Sequence, residues 1–222
     1  GDFAKAYGLI FNVDNCFATP YLQQPGRYGA GLIVHSATKW MDGQGRVLGG
    51  IVAGKADLIE ELRFFCRHTG PAMSPFNAWV LSKSLETLSV RMDRHCANAL
   101  EIAKWLEARP EVERVHYPHL ESHPQYALAK RQMKHGGGIV AFDLKGGLEA
   151  GRQFLSRIQM CSLSSNLGDT RTIVTHPATT THSKLSQADR SSVGIGPGMI
   201  RVSVGLEHVE DIRQDLAQAL EA

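Results

Sequence analysis

His35-Ser36-Ala37-Thr38-Lys39 sets an amine beside two hydroxyls, directly after the apolar run Gly31-Leu32-Ile33-Val34. A lysine partly withdrawn from water there would have a lowered pKa and act as a Schiff-base nucleophile. Hydroxyls next to it can bind phosphate without adding charge. The same five residues also read as a solvated lysine following a strand. Asp14 closes a second apolar run, Gly8-Leu9-Ile10-Phe11-Asn12-Val13. Open α/β folds bind ligands at the carboxyl edge of the sheet, where such an aspartate would sit. It would hold a proton on a heterocycle's nitrogen, or simply cap a turn.

Asp14 and Lys39 say more together than apart. Adjacent strand ends would place both on one rim. That arrangement suits pyridoxal phosphate, which needs a lysine for its aldehyde and an acid for its ring nitrogen. Arg201 stands in Met199-Ile200-Arg201-Val202-Ser203-Val204, where alternation puts Arg201 and Ser203 on one face of a strand. Its planar fork would grip a carboxylate, or face solvent on an edge. Ser164-Ser165-Asn166-Leu167-Gly168-Asp169 is a polar turn that would bind a carboxylate or merely connect.

Other motifs carry less. Gly43-Gln44-Gly45-Arg46-Val47-Leu48-Gly49-Gly50 lacks a glycine at the last GxGxxG position, and a strand follows it. His135-Gly136-Gly137-Gly138 also runs into a strand, so neither is a dinucleotide fingerprint. His176 and His182 miss the helical ligand spacing, and Cys16, Cys66, Cys96 and Cys161 form no CxxC pair. No metal is expected. The cysteines read as small buried hydrophobes in a reducing compartment, with the cytoplasm as default.

These residues need a scaffold. The chain has 222 residues, enough for one large core or two modest ones. Lys+Arg minus Asp+Glu is 24 − 22 = +2, too weak a field to attract nucleic acid or anionic lipid. No apolar run approaches the ~20 residues of a membrane helix. Three short apolar strands, at 8–13, 31–34 and 50–54, suit a sheet covered on both faces. Ser74-Pro75 starts a helix. Leu81, Leu85, Leu88, Met92, Cys96, Ala99, Ala103 and Leu106 extend its stripe to Arg109-Pro110. Such a helix of ~30 residues would be ~45 Å long and span two domains, with a boundary near Met92. Strands at 112–117, 138–144 and 199–204 and a helix over Val209, Ile212, Leu216 and Leu220 complete an α+β remainder.

The order of these motifs resembles the Cys/Met-metabolism family of pyridoxal-phosphate enzymes. The residues that carry the resemblance are 13–20, 35–39, 74–79, 166–169, 176–182 and 200–207, so it covers essentially the whole chain. It implies an α/β fold: part of a PLP-dependent transferase (aspartate-aminotransferase-like) large domain, followed by an α+β small C-terminal domain. Residues 1–92 would be the C-terminal part of the PLP-binding domain and 93–222 the small domain. Relatives carry a further section before the Gly8–Val13 strand, with a phosphate loop and a ring-stacking aromatic. The 222 residues alone are therefore expected to be inactive.

The resemblance implies roles one position at a time. Lys39 would be the catalytic residue and would carry the aldehyde of pyridoxal 5'-phosphate. Asp14 would pair with the pyridine nitrogen, and Ser36 and Thr38 with the phosphate. Arg201 would grip the substrate carboxylate, assisted by Ser165 and Asn166. Asparagine stands at 166 where many members have serine. Cysteine stands at 16 where many have threonine, and Cys16 is not counted among the site residues. The turns at 42–50 and 166–169 look most like the branch that adds sulfide to an activated homoserine ester on the way to methionine. Sister γ-replacement and γ-lyase activities stay open, as does a catalytically incomplete fragment. The implied partners are small molecules, an amino-acid ester and sulfide, with no nucleic acid or membrane. The full-length form would be a homotetramer built of dimers.

Overall fold

In the computed structural model, which describes residues 1–221, Ser74 starts a helix as its type predicts. Its hydroxyl accepts from the Asn77 amide at 3.3 Å, and Pro75 takes the first helical position. The long helix expected from there is two helices, Pro75–Leu85 and Leu88–Glu107. The reason is a pair of local hydroxyl bonds. Ser84 Oγ donates back to the Val80 carbonyl at 2.8 Å, and Thr87 Oγ1 donates to the Ser84 carbonyl at 3.2 Å. Both compete with the helical ladder and break it at Glu86-Thr87. The apolar stripe itself holds. Leu81, Leu88, Met92, Cys96, Ala99, Ala103 and Leu106 are buried, whereas Leu85 is exposed. The second helix, of 20 residues, is about 30 Å long, two-thirds of the length expected.

The chain divides into two compact units, Gly1–Val90 and a second beginning at Arg91. The first holds α1 (Asp2–Ala6), β1 (Asn12–Asp14), α2 (Thr19–Leu22), β2 (Leu32–Ser36), β3 (Gly50–Gly54), α3 (Ala56–Thr69) and α4 (Pro75–Leu85). β1 runs parallel to β2, with Asp14 opposite Val34. β3 pairs antiparallel on the other side, with Ser36 opposite Gly50. The expected strand at 8–13 begins later, because Gly8 turns the chain at φ 63° after α1. Within the described residues the sheet is not covered on both faces, unlike the expectation. Four of the five β3 residues are exposed, and α3 buries none of its residues. One buried cluster holds Ala37, Met41, Val47, Val80 and Leu81. Ala37 and Met41 bracket Lys39, so packing anchors the turn on both sides of the amine.

The second unit contains most of α5 (Leu88–Glu107), then β4 (Val112–His116), α6 (Tyr126–Gln132), β5 (Ile139–Leu144), α7 (Gly147–Arg157), β6 (Ser162–Leu163), β7 (Ile173–Thr175), α8 (Gln187–Ser192), β8 (Met199–Ser203) and α9 (Val209–Leu220). Its sheet runs β4-β5-β8-β7-β6, antiparallel except for the β6–β7 pair. β5 alternates half-buried and buried residues along its length, the period-2 signature of a strand with one face in the core. Phe142 from that face meets Phe154 of α7 edge-on at 5.7 Å. Ile212 and Leu216 of α9 join the same core. Asp215 on α9 accepts from the amides of Gln159, Met160 and Cys161 at 2.8–3.0 Å, tying the approach to β6 onto that helix.

Candidate active site

Parallel pairing carries β1 and β2 out of the sheet at the same end. Asp14 therefore leaves the sheet beside the segment that becomes Ser36 and Lys39. The Asn15 amide extends the ladder by one bond to the Val34 carbonyl at 2.9 Å. Asn15 is buried, and its side-chain amide donates to the carbonyls of Thr19 and Gln23, each at 3.0 Å. That bond pair holds the loop after β1, including Thr19 at a φ of 61°.

Asp14 is kept ionised by its neighbours. The Cys16 thiol and then the Cys16 amide, 3.0 Å from Oδ1, lower its pKa from the ordinary carboxylate value. His35 adds a smaller effect in the same direction. The His35 ring is buried, and burial lowers its own pKa. The Cys16 thiol moves the other way. Burial first, then Asp14, raise its pKa, so it remains a protonated donor.

Past β2 the chain turns tightly. The Lys39 amide donates to the Ser36 carbonyl at 3.2 Å, and the Asp42 amide to the Ala37 carbonyl at 2.9 Å. Lys39 and Ser36 are both half-buried. Thr38 Oγ1 accepts from the Gly49 amide at 3.1 Å, so this hydroxyl also fastens the turn to the start of β3. Asp42, fully buried, accepts from the Arg46 amide at 2.6 Å and from its Nε at 3.0 Å. Arg46 Nη2 reaches on to Ser84 Oγ at 2.6 Å. The glycine-rich loop 42–50 is thereby folded onto α4, a structural role consistent with its not being a nucleotide fingerprint.

The second set of residues assembles on β8. Arg201 and Ser203 share a face, as their alternation requires, and both hold the 165–168 turn. Arg201 Nη2 donates to the Ser165 carbonyl at 2.9 Å and the Asn166 carbonyl at 3.1 Å. Ser203 Oγ accepts from the Gly168 amide at 2.9 Å. Arg201 Nε is buried with no hydrogen-bond partner among the described residues. Desolvation lowers the guanidinium's pKa, though it stays a cation. An unsatisfied donor on a partly buried cation is costly, and an anion or a water is the kind of partner that would satisfy it. Ser165 and Asn166 contribute backbone carbonyls to the guanidinium.

Sequence reasoning missed the residues that brace β8. His95 Nδ1 lies 2.7 Å from the Val204 carbonyl. Asn98 donates to the carbonyls of Gly205 and Glu207, each at 3.0 Å. Glu207 accepts from the Thr172 amide at 2.5 Å and its hydroxyl at 2.9 Å. His95 and Asn98 interrupt an otherwise apolar stripe on α5, which was the available signal.

An amine, a stabilised carboxylate and two hydroxyls at one pair of strand ends are the donor set that a phosphorylated pyridine aldehyde needs. They fit the class of pyridoxal-phosphate proteins. The family model for Cys/Met metabolism PLP-dependent enzymes matches residues 1–221, and the chain belongs to that family. Its cofactor is accordingly pyridoxal 5'-phosphate. The chain is 51% identical over 221 residues to O-succinylhomoserine sulfhydrylase of Pseudomonas aeruginosa, covering 100% of this chain and 55% of the relative. It is 47% identical over 211 residues to L-methionine gamma-lyase of Fusobacterium nucleatum, covering 94% and 53%. Among solved structures, cystathionine gamma synthase from Xanthomonas oryzae pv. oryzae in complex with cystathionine superposes with a TM-score of 0.95 at 37% identity. That match covers 99% of this chain and 57% of the other. The chain spans about half the length of the curated relatives it matches.

Proposed function

We propose that the whole protein catalyses pyridoxal-phosphate-dependent γ-replacement, converting O-succinylhomoserine and sulfide to homocysteine. The observation that carries the amino-acid substrate class is the buried Nε of Arg201 beside the 165–168 turn. The relative at 51% identity supports the choice of sulfide and the succinyl ester. In this reading residues 1–92 belong to the cofactor-binding large domain and 93–222 form the small C-terminal domain.

When bound, the cofactor supplies an electron sink for charge at the substrate's α-carbon. Asp14, held ionised by Cys16, keeps the proton on the ring nitrogen. Ser36 and Thr38 hold the phosphate. Lys39 would hold the aldehyde, and its amine would be the group placed to move a proton from Cα to Cβ. Arg201 would fix the α-carboxylate.

Reconstituted protein should show a visible band that depends on Lys39 and release homocysteine from O-succinylhomoserine only when sulfide is supplied. A band that survives Lys39→Ala would sink the cofactor assignment. The runner-up is a γ-lyase, favoured by the relative at 47% identity. Keto-acid and ammonia release from methionine with no added nucleophile would select it. Cystathionine formation with cysteine would select the γ-synthase.

A further inference from the structure

Cys16 touches both strand ends of the candidate cofactor site. Its amide donates to Asp14 Oδ1 at 3.0 Å, and its Sγ accepts from the Ser36 amide at 2.7 Å. The contact to Ser36 spans 20 residues of sequence and crosses from the loop after β1 to the last residue of β2. Neighbouring bonds hold Cys16 where it is. The buried Asn15 beside it is fixed by hydrogen bonds to Val34, Thr19 and Gln23. The thiol also has the Val34 carbonyl at 4.0 Å.

We propose that Cys16 is a positioning residue: its amide and thiol bind Asp14 and Ser36 to one another, so the acid and the phosphate-side hydroxyl keep a set spacing. The inference rests on the reading that Asp14 and Ser36 hold the cofactor. A thiol is a weak acceptor and a weak donor, a pair of functions that a serine or threonine hydroxyl also supplies. Protonated, it adds no second negative charge beside Asp14. The titratable groups acting on Asp14 are Cys16 and, from β2, His35. Buried His35 tends to the neutral form, which leaves Cys16 as the principal support of the carboxylate.

The test uses the holoenzyme and two pairs of variants. Cys16→Ala removes the side-chain bridge, and Cys16→Ser keeps a shorter donor and acceptor. Cys16→Val and Cys16→Thr repeat the contrast with the packing retained, should alanine fail to fold. Ala and Val should weaken pyridoxal-phosphate binding by about tenfold, the loss of one or two modest hydrogen bonds. They should also move the acid limb of the cofactor's absorbance titration to higher pH, as Asp14 loses its donor. Ser and Thr should stay within about threefold of the parent. Parent-like affinity and titration in Val would overturn the proposal. So would a fall in melting temperature alone, equal in Val and Thr, because that is a packing effect. Lys39→Ala serves as the control. A band persisting there refutes the cofactor reading itself, whereas loss of the band with a silent Val variant refutes only the role of Cys16.

Discussion

The Arg201 guanidinium is fastened by one terminal nitrogen to the carbonyls of Ser165 and Asn166, while its buried Nε has no partner among the described residues. One terminal nitrogen thus aims the side chain, and the proposed role leaves the rest of the guanidinium for the substrate carboxylate.

Replacing Arg201 by lysine should therefore fail to preserve function. An ammonium cannot span two carbonyls and still present a donor from a planar fork. The expected result is a KM for the amino-acid substrate raised roughly 30-fold or more, equivalent to about 2 kcal/mol for charge-assisted bonds. The kcat should fall less. Steady-state kinetics of Arg201→Lys check this, and an unchanged KM would contradict the carboxylate role.

Ser203 supports the same turn from two residues away. Its buried hydroxyl is the acceptor for the Gly168 amide. Ser203→Ala leaves that amide unsatisfied and should cost about 1–2 kcal/mol in urea unfolding. The turn should loosen as well, giving a modest rise in KM without a change in the cofactor's absorbance. A variant as stable as the parent would show that water or a shifted backbone replaces the bond.

Gly49 is packed against the turn that carries Lys39. A Cβ there would lie 2.9 Å from Met73 Cε, 3.1 Å from Leu81 Cδ1 and 3.7 Å from the Ala37 Cβ. Gly49→Ala should overpack the cluster and destabilise by about 1–3 kcal/mol. It should also disturb the Thr38–Gly49 bond, read as weaker cofactor retention on dialysis. Retention equal to the parent's would mean the flexible Met73 absorbs the methyl alone.

The pH dependence should carry the mark of His95. Burial pushes its pKa down from 6.5 to about 4. The unfolded chain takes up that proton near its ordinary value, whereas the folded unit resists until about 4. Between those values the unfolded state binds more protons, so stability is lost as pH falls through the window. The full effect is on the order of 3 kcal/mol. Urea midpoints measured from pH 7 to pH 4 should fall in the parent and fall less in His95→Gln. Parallel curves for the two proteins would show that other groups dominate.

Several features were readable because a local pattern encodes them. The alternation around Arg201 predicted its shared face with Ser203, and the strand pairing bears that out. The stripe from Leu81 to Leu106 named buried residues correctly, apart from Leu85. The continuous helix drawn through that stripe was wrong, since periodicity does not register two hydroxyls that cap the ladder at Ser84 and Thr87. The covered sheet is not seen within the described residues. Short apolar runs match buried strands, yet β3 is mostly exposed. The helices α3 and α7 and the strand β7 went unread, β7 for its short length of three residues and α7 because two glycines interrupt its apolar pattern.

The sequence by itself determined which residue types stand at the ends of β1 and β2 and which way each β8 side chain points, because those follow from chain order and a two-residue period. Only the tertiary structure decided what those side chains bind. The partners lie far away in sequence: Cys16 with Ser36 across 20 residues, Arg201 with Ser165 across 36. No local spacing records such pairs. They exist because parallel pairing brings two strand ends together and because the core beneath β8 presses a distant turn against one arginine.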